Sequence, residues 1–392
     1  MKNMLESVEE LSKCVEEREK ELKELKDKGI KIVGVIGEGY VQDEIVHALG
    51  AVPQHFIKGG EHEAIDDSLK YCPSTNSTFY RAQLSYILSG KEPVYSLADA
   101  YIAEAGDWNA ENVLMYTHFY KKIMGGEDIQ DKWLGIPSDP FKNHSEALEY
   151  YVTRTKEMIE WLAPLTGNTL SEEKLREYTV LYNEMRDLLL KISDLRKSPS
   201  PPISGLDFIT LNHYSYYCEP HRYVNSLKSI YDELKGAEGM SPEDAPRIAI
   251  FGCPIALGDY QLPKLVEDLG AVIPIEQYQC SLRHYQRKTA VNGDPIENLC
   301  KRYLMITPSP TKYPWGPQFD AWDKYIEDFK VDAVIWYQLM YESTYDYQWV
   351  AFRKRMSERG MPTMIIDSEY DMEERIESVR TRLETFIEMI KK

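Results

Sequence analysis

Three kinds of residue in this chain could do chemistry. The first is a glycine loop, Gly37-Glu38-Gly39, directly after the apolar run KIVGVI. A dinucleotide fingerprint would need a third glycine where Gln42 stands and an acid at the tip of the next strand. That strand runs into HFIKGG without one, so the loop reads as a tight strand-to-helix turn. The second kind is thiol. Cys72 in YCPST, Cys253 in FGCP and Cys280 in QYQC each follow an expected strand. Loops at the carboxyl ends of strands face the ligand crevice of open α/β sheets. Two readings stand: three thiols converging on a metal, or three small core residues. The third kind is basic. Arg283, His284 and Arg287 (SLRHYQR) form a cationic patch suited to phosphate oxygens, with an ordinary surface helix as the alternative. No CxxC, HExxH, P-loop or Gly-x-Ser-x-Gly occurs. His62, His118, His213 and His221 sit in polar or aromatic contexts that fit hydrogen-bonded scaffold roles.

The elements that must position these groups come as a repeat. KIVGVIGEGYVQDEIVHALGAVP (residues 31–53) returns as RIAIFGCPIALGDYQLPKLVEDLGAVIP (247–274). DAYIAEAGDW is echoed by DAVIWYQLMYE, and KWLGIPSD by MPTMIIDSE. Short Val- and Ile-rich runs alternating with helix-length segments predict parallel strands joined by helical crossovers. The expected fold is therefore α/β, with two flavodoxin- or Rossmann-like lobes joined by a helical segment. Strands are expected near 31–37, 52–57, 99–105 and 132–136, then near 247–252, 271–276, 332–339 and 362–367, with a closing helix over 371–391. The divisions are an amphipathic helix (1–30), lobe one (31–144), a helical and aromatic connection (145–244) and lobe two (245–392). Thr169 and Glu172 have capping-box spacing before a long helix, and SPSPPISG breaks the run. LNHYSYYCEPHRY is aromatic enough to line an interface. Two lobes leave a cleft between them, where chemistry should be sought.

The net charge of −18 over 392 residues argues against nucleic acid and anionic membrane as partners. No apolar run is long enough for a membrane span, and the amino terminus lacks a signal peptide's apolar core. With six scattered cysteines, the chain is expected to be cytoplasmic and its thiols reduced.

YCPSTNSTFYRAQLSYILSG, the FGCP to YQC segment, KVDAVIWYQLMYESTYDYQ and DSEYDMEERIESVRTRLETFIEMI together resemble the 2-hydroxyacyl-CoA dehydratase and benzoyl-CoA reductase superfamily. That group includes the double-cubane-cluster proteins. The resemblance runs from about Lys31 to the end, and Thr381, Arg382, Glu384, Phe386 and Glu388 carry its carboxyl-terminal signature. It implies a homologous partner subunit or a second copy, an ATP-dependent activator, an acyl- or aryl-CoA substrate and a [4Fe–4S] cluster. It implies an oxygen-sensitive enzyme in which a low-potential electron reduces the thioester carbonyl. Of three expected cluster cysteines, the first falls on Cys72. The second falls on Gly106, beside Asp107, and the third on Glu342. The expectation is a cluster-poor subunit whose partner holds the full cysteine set, with Glu342, Asp107 or Glu38 handling protons. Alternatives are a cluster held through Cys72, Cys253 and Cys280, and a non-catalytic assembly or ligand-binding subunit. For Glu342 there is also a plain structural role, capping the following helix. Arg81 is expected to order the helix after Cys72.

Overall fold

The computed structural model describes residues 2–37, 39, 41–105, 108–129, 132–137, 145–278, 280–305 and 314–391. The first helices are α1 (Lys2–Glu16) and α2 (Arg18–Asp27). Lobe one follows as β1 (Ile32–Ile36), α3 (Asp43–Ala48), β2 (Val52–His55), α4 (His62–Ser68), α5 (Thr78–Ser89), α6 (Pro93–Ser96), β3 (Ala100–Ala105), α7 (Trp108–Gly125) and β4 (Trp133–Pro137). The connection is α8 (Ala147–Thr166), α9 (Glu172–Leu195), α10 (Gly205–Tyr214) and α11 (Pro220–Leu234). Lobe two is β5 (Ile248–Gly252), α12 (Gln261–Asp268), β6 (Glu276–Gln277), α13 (Leu282–Tyr285), α14 (Pro295–Leu304), α15 (Gly316–Asp328), β7 (Ala333–Leu339), α16 (Ser343–Glu358), β8 (Thr363–Ser368) and α17 (Met372–Ile390).

Each lobe carries one parallel four-stranded sheet, ordered β2-β1-β3-β4 and β6-β5-β7-β8. The orders are the same, so the repeated sequence is a repeated fold. Every residue of β1, β5 and β7 is buried, as befits central strands covered on both faces. The chief departure among the strands is β6, which shrinks to two residues. Pro274 has no amide hydrogen for the ladder, leaving an isolated bridge at Arg247–Val272 before pairing resumes at Glu276. The expected capping box also moves: α9 is capped by Ser171, whose Oγ accepts from the Lys174 amide at 3.3 Å. Leu170 packs against the core instead, which holds the chain extended past Thr169.

Buried ion pairs join the connection to both lobes. Arg186 on α9 donates to Glu44 of lobe one at 2.7 Å, and Tyr303 of α14 donates to the same carboxylate at 2.9 Å. Arg196 donates to Glu276 of β6 at 2.6 Å, with both side chains almost wholly buried.

The lobes also grip one another directly. Leu257 donates its amide to Ile57 at 2.8 Å, and Gly59 donates to Leu257 at 3.0 Å, a one-rung parallel bridge across the seam. A Cβ on Gly59 would sit 2.6 Å from Ala256 Cβ and 2.7 Å from the Tyr370 hydroxyl, so this approach requires glycine. Nearby, the Thr78 amide donates to the Met340 carbonyl at 3.2 Å. Arg81, buried, donates to Glu369 of lobe two at 2.6 Å and to Ser68, Ser74 and Ile65 of its own lobe.

The seam buries a carboxyl group as well. Asp259 accepts from the Tyr337 hydroxyl at 2.6 Å, and burial pushes its pKa up to about 7. The folded protein therefore holds this proton more tightly than the unfolded chain. The stability Asp259 contributes is complete below about pH 4 and drains away as the pH rises toward 7. Urea unfolding across that range should show wild type losing a few kcal/mol relative to Asp259→Asn, which keeps a neutral group there. Parallel curves for the two proteins would refute the assignment. Arg81→Leu, which strands a partnered carboxylate and three further acceptors, should cost about 3–5 kcal/mol in the same measurement. Glu369→Ala, which leaves the buried Arg81 guanidinium without its carboxylate, should cost about 3 kcal/mol.

Candidate functional site

Cys72 lies in the turn after α4, its amide bonded to the Ser68 carbonyl at 3.0 Å. Pro73 to Ser77 then carry the chain to α5, where the Ser77 hydroxyl caps the helix by accepting from the Tyr80 amide. Arg81, one turn into α5, reaches back to the Ser68 hydroxyl and the Ser74 carbonyl. It thereby braces the loop before α5 rather than the helix itself. The Cys72 thiol is buried, and burial raises its pKa above the ordinary thiol value. A hydrogen bond from Asn76 and the charge of Arg81 pull the other way. The recess around it, walled by Asn76, Arg81, Asn109, Asn112 and Tyr116, measures about 10 Å³, room for roughly one water.

Glu342 reaches the same junction from lobe two. Past the end of β7, Tyr341 adopts a left-handed conformation (φ 63°), and Glu342 follows at the amino-terminal cap position of α16. Its side chain does not cap that helix. Only its carbonyl serves the first turn, accepting from Tyr345 at 2.9 Å and Asp346 at 3.1 Å. The buried carboxylate turns across the seam instead. Oε1 accepts a very short hydrogen bond from the Ser77 hydroxyl, and Oε2 faces Asn109 Nδ2 at 3.5 Å. Asn109 also walls the Cys72 recess, so one side chain links thiol and carboxylate. The pairing of Thr78 with Met340 holds the two loops in register. A carboxyl group beside a hydroxyl and an amide, shielded from water, can hold or pass a proton.

The other two thiols at strand ends are also buried. Cys253 is buried just beyond β5, its amide bonded to the Tyr337 carbonyl at 2.8 Å. Cys280 is buried beyond β6, where its carbonyl accepts from Asn212 at 2.7 Å and Tyr216 at 3.1 Å. All six cysteines are among the described residues and all are unbridged. Among the described residues, no three His, Cys, Asp or Glu side chains are grouped so as to hold a metal ion. A [4Fe–4S] cluster draws on several thiolates, whereas Cys72 faces amides, a guanidinium and a one-water recess. The donor set among the described residues does not fit that cluster.

The basic patch is divided by the fold. Arg283 is buried in the short helix α13, against the first glycine loop: a Cβ on Gly39 would lie 3.9 Å from its Nη1. His284 turns inward, 3.2 Å from the Ser215 hydroxyl and packed at 4.6 Å on Tyr216. Burial, with the charges of Arg186 and Arg302 beside it, holds its pKa well below the ordinary imidazole value. It is a neutral ring rather than a cation. Arg287 alone is exposed, donating to the Met305 carbonyl at 2.9 Å. Glu38, Gly106 and Asp107 lie outside the described residues. Of the residues singled out in the sequence, then, the structure brings Cys72 and Glu342 to one junction. Ser77, Asn109 and Glu369 complete it. A helix-capping serine and an asparagine carry no local sign that they will face another lobe.

A family model for the 2-hydroxyglutaryl-CoA dehydratase D-component matches residues 38–390. The chain is 22% identical over 372 residues to the putative dehydratase subunit YjiM of Escherichia coli (strain K12), covering 94% of this chain and 93% of that protein. It is 20% identical over 377 residues to the (R)-phenyllactyl-CoA dehydratase beta subunit of Clostridium sporogenes, covering 94% of each. It is 22% identical over 268 residues to a benzoyl-CoA reductase subunit of Thauera aromatica, covering 68% of this chain and 66% of that one. With two like-ordered parallel sheets beneath that long match, the chain belongs to the 2-hydroxyglutaryl-CoA dehydratase D-component family.

Proposed function

We propose that this chain is a subunit of a 2-hydroxyacyl-CoA dehydratase or benzoyl-CoA reductase-type enzyme in which Glu342 handles protons at the interlobe junction. A homologous partner holds the [4Fe–4S] cluster, and an ATP-dependent activator supplies the low-potential electron to it. The observation that carries this reading is the direction of the Glu342 carboxylate. It leaves its own helix uncapped and crosses the seam to Ser77 and Asn109 beside Cys72. A capping glutamate would have stayed home, where the positive end of the helix favours its charge.

In this reading Ser77 and Asn109 orient the carboxyl group, with the Ser77 proton on Oε1 and the amide on Oε2. Glu342 gives or takes one proton at the seam, on the path to the acyl part of a CoA thioester. Cys72, with its pKa raised by burial, acts as a packed thiol rather than a cluster ligand. A substrate of the acyl- or aryl-CoA class is supported by two relatives whose names specify a phenyllactyl-CoA dehydratase and a benzoyl-CoA reductase.

Two measurements test this. Glu342→Gln, assembled with partner and activator, should lose about 10²–10⁴-fold in turnover while its melting temperature barely moves. Unchanged turnover and pH profile would reduce Glu342 to a seam residue. Anaerobic iron and sulfide reconstitution should leave the isolated chain nearly iron-free and load the co-purified pair. A full cluster on the isolated chain would overturn the division of labour.

A further inference from the structure

Cys14 and Cys218 have no part in the site above, yet the fold places them face to face. Cys14 is on α1, and Cys218 closes the turn from α10 into α11, against which α1 lies. Both are buried in the main core. The Cys218 sulfur sits 3.8 Å from the Leu11 carbonyl, one helical turn before Cys14. Each thiol shifts the titration of the other, Cys14 downward and Cys218 upward. Arg222, one turn into α11, donates to Glu10 of α1 at 2.9 Å and holds the two elements in place around the pair.

Two cavities flank this contact. One, of about 150 Å³, has Cys218 in its wall together with Arg18, Asp43, His55, Tyr182 and Glu219. It opens the buried pair to a small solute from the Cys218 side. The other, of about 320 Å³, runs beneath Ser12, Val15 and Glu16 of α1 and reaches Lys58 and Leu257, the residues that bridge the lobes. The helix carrying Cys14 thus borders open space on the side that faces the interlobe bridge. Such a helix can shift by the small distance that bond formation between apposed cysteines needs.

We propose that Cys14 and Cys218 form a redox-active dithiol, which peroxide-class oxidants convert to an intrachain disulfide that staples α1 across the seam. Cys14 reacts first, because the S–H of Cys218 and the charge of Arg222 stabilise its thiolate. Its sulfur attacks one peroxide oxygen, the O–O bond breaks, and a sulfenic acid and one water form. The Cys218 sulfur then displaces the sulfenic hydroxyl, forming the S–S bond and releasing the second water. The two thiols lose two electrons in all, and the peroxide gains them. The covalent loop spans roughly two hundred residues, which strongly restricts the unfolded chain.

The test uses the full chain, fully reduced and then treated with a slight molar excess of hydrogen peroxide before alkylation and peptide mass spectrometry. A linked Cys14–Cys218 peptide, reversed by dithiothreitol, is expected, with a melting temperature raised by several degrees over the reduced protein. Cys14→Ser and Cys218→Ser should each lose both the link and the melting shift while melting like reduced wild type. Two thiols that stay alkylatable in the oxidised folded protein would overturn the proposal. So would a link that forms only after unfolding in guanidinium, or a Cys218 that pairs with another cysteine in the Cys14→Ser variant.

Discussion

Everything distinctive about this molecule depends on how closely its two lobes approach. The bridge of Ile57, Gly59 and Leu257 brings backbone against backbone, which only a glycine at position 59 permits. With that approach set, the start of α5 in lobe one and the end of β7 in lobe two come within hydrogen-bonding distance. Each contact there has one partner per lobe: Thr78 with Met340, Ser77 with Glu342, Arg81 with Glu369. A seam opened by even a few ångströms would leave a buried guanidinium and a buried carboxylate without their partners. Such groups cost several kcal/mol each, so the junction closes as a unit or not at all.

That closure also sets the chemistry of the groups inside it. Asp259 is pushed toward its protonated form because it is dry, with the Tyr337 hydroxyl as its donor. His284 is neutral because it is buried among arginines. Glu342 faces away from the helix dipole because Ser77 and Asn109 offer it donors across the seam. The same residue types on an open surface would have ordinary behaviour. The carboxyl ends of both sheets supply the loops, as open α/β sheets do generally, and the seam gives those loops their properties.

Much of the architecture was legible in the chain. Apolar runs at β1, β5 and β7 announce buried parallel strands because such strands must be apolar on both faces. The repeat announces two such sheets. Where local reading went astray, a competing local force explains it. Pro274 shortened β6 by removing a ladder donor, and Leu170 drew the chain into the core so that Ser171, not Thr169, caps α9. Cys72 and Glu342 were legible as site positions because they follow strands or sit in a recognisable loop. Ser77 and Asn109 were not, since their significance lies in partners more than two hundred positions away. The basic run at 283–287 misled for a similar reason: charge along a sequence does not say which side of a short helix meets solvent.

By itself the sequence determined the fold class and the duplication. Those follow from hydrophobic pattern and residue identity, which are local properties. Only the tertiary structure decided that Asn109 reaches Glu342 from the wall of the Cys72 recess, and that Cys218 packs on the turn of α1 that carries Cys14. Such pairings depend on the angle and distance at which separately folded sheets and helices pack. No pattern along one strand or helix encodes that packing, because it is settled by the summed burial of many side chains at once.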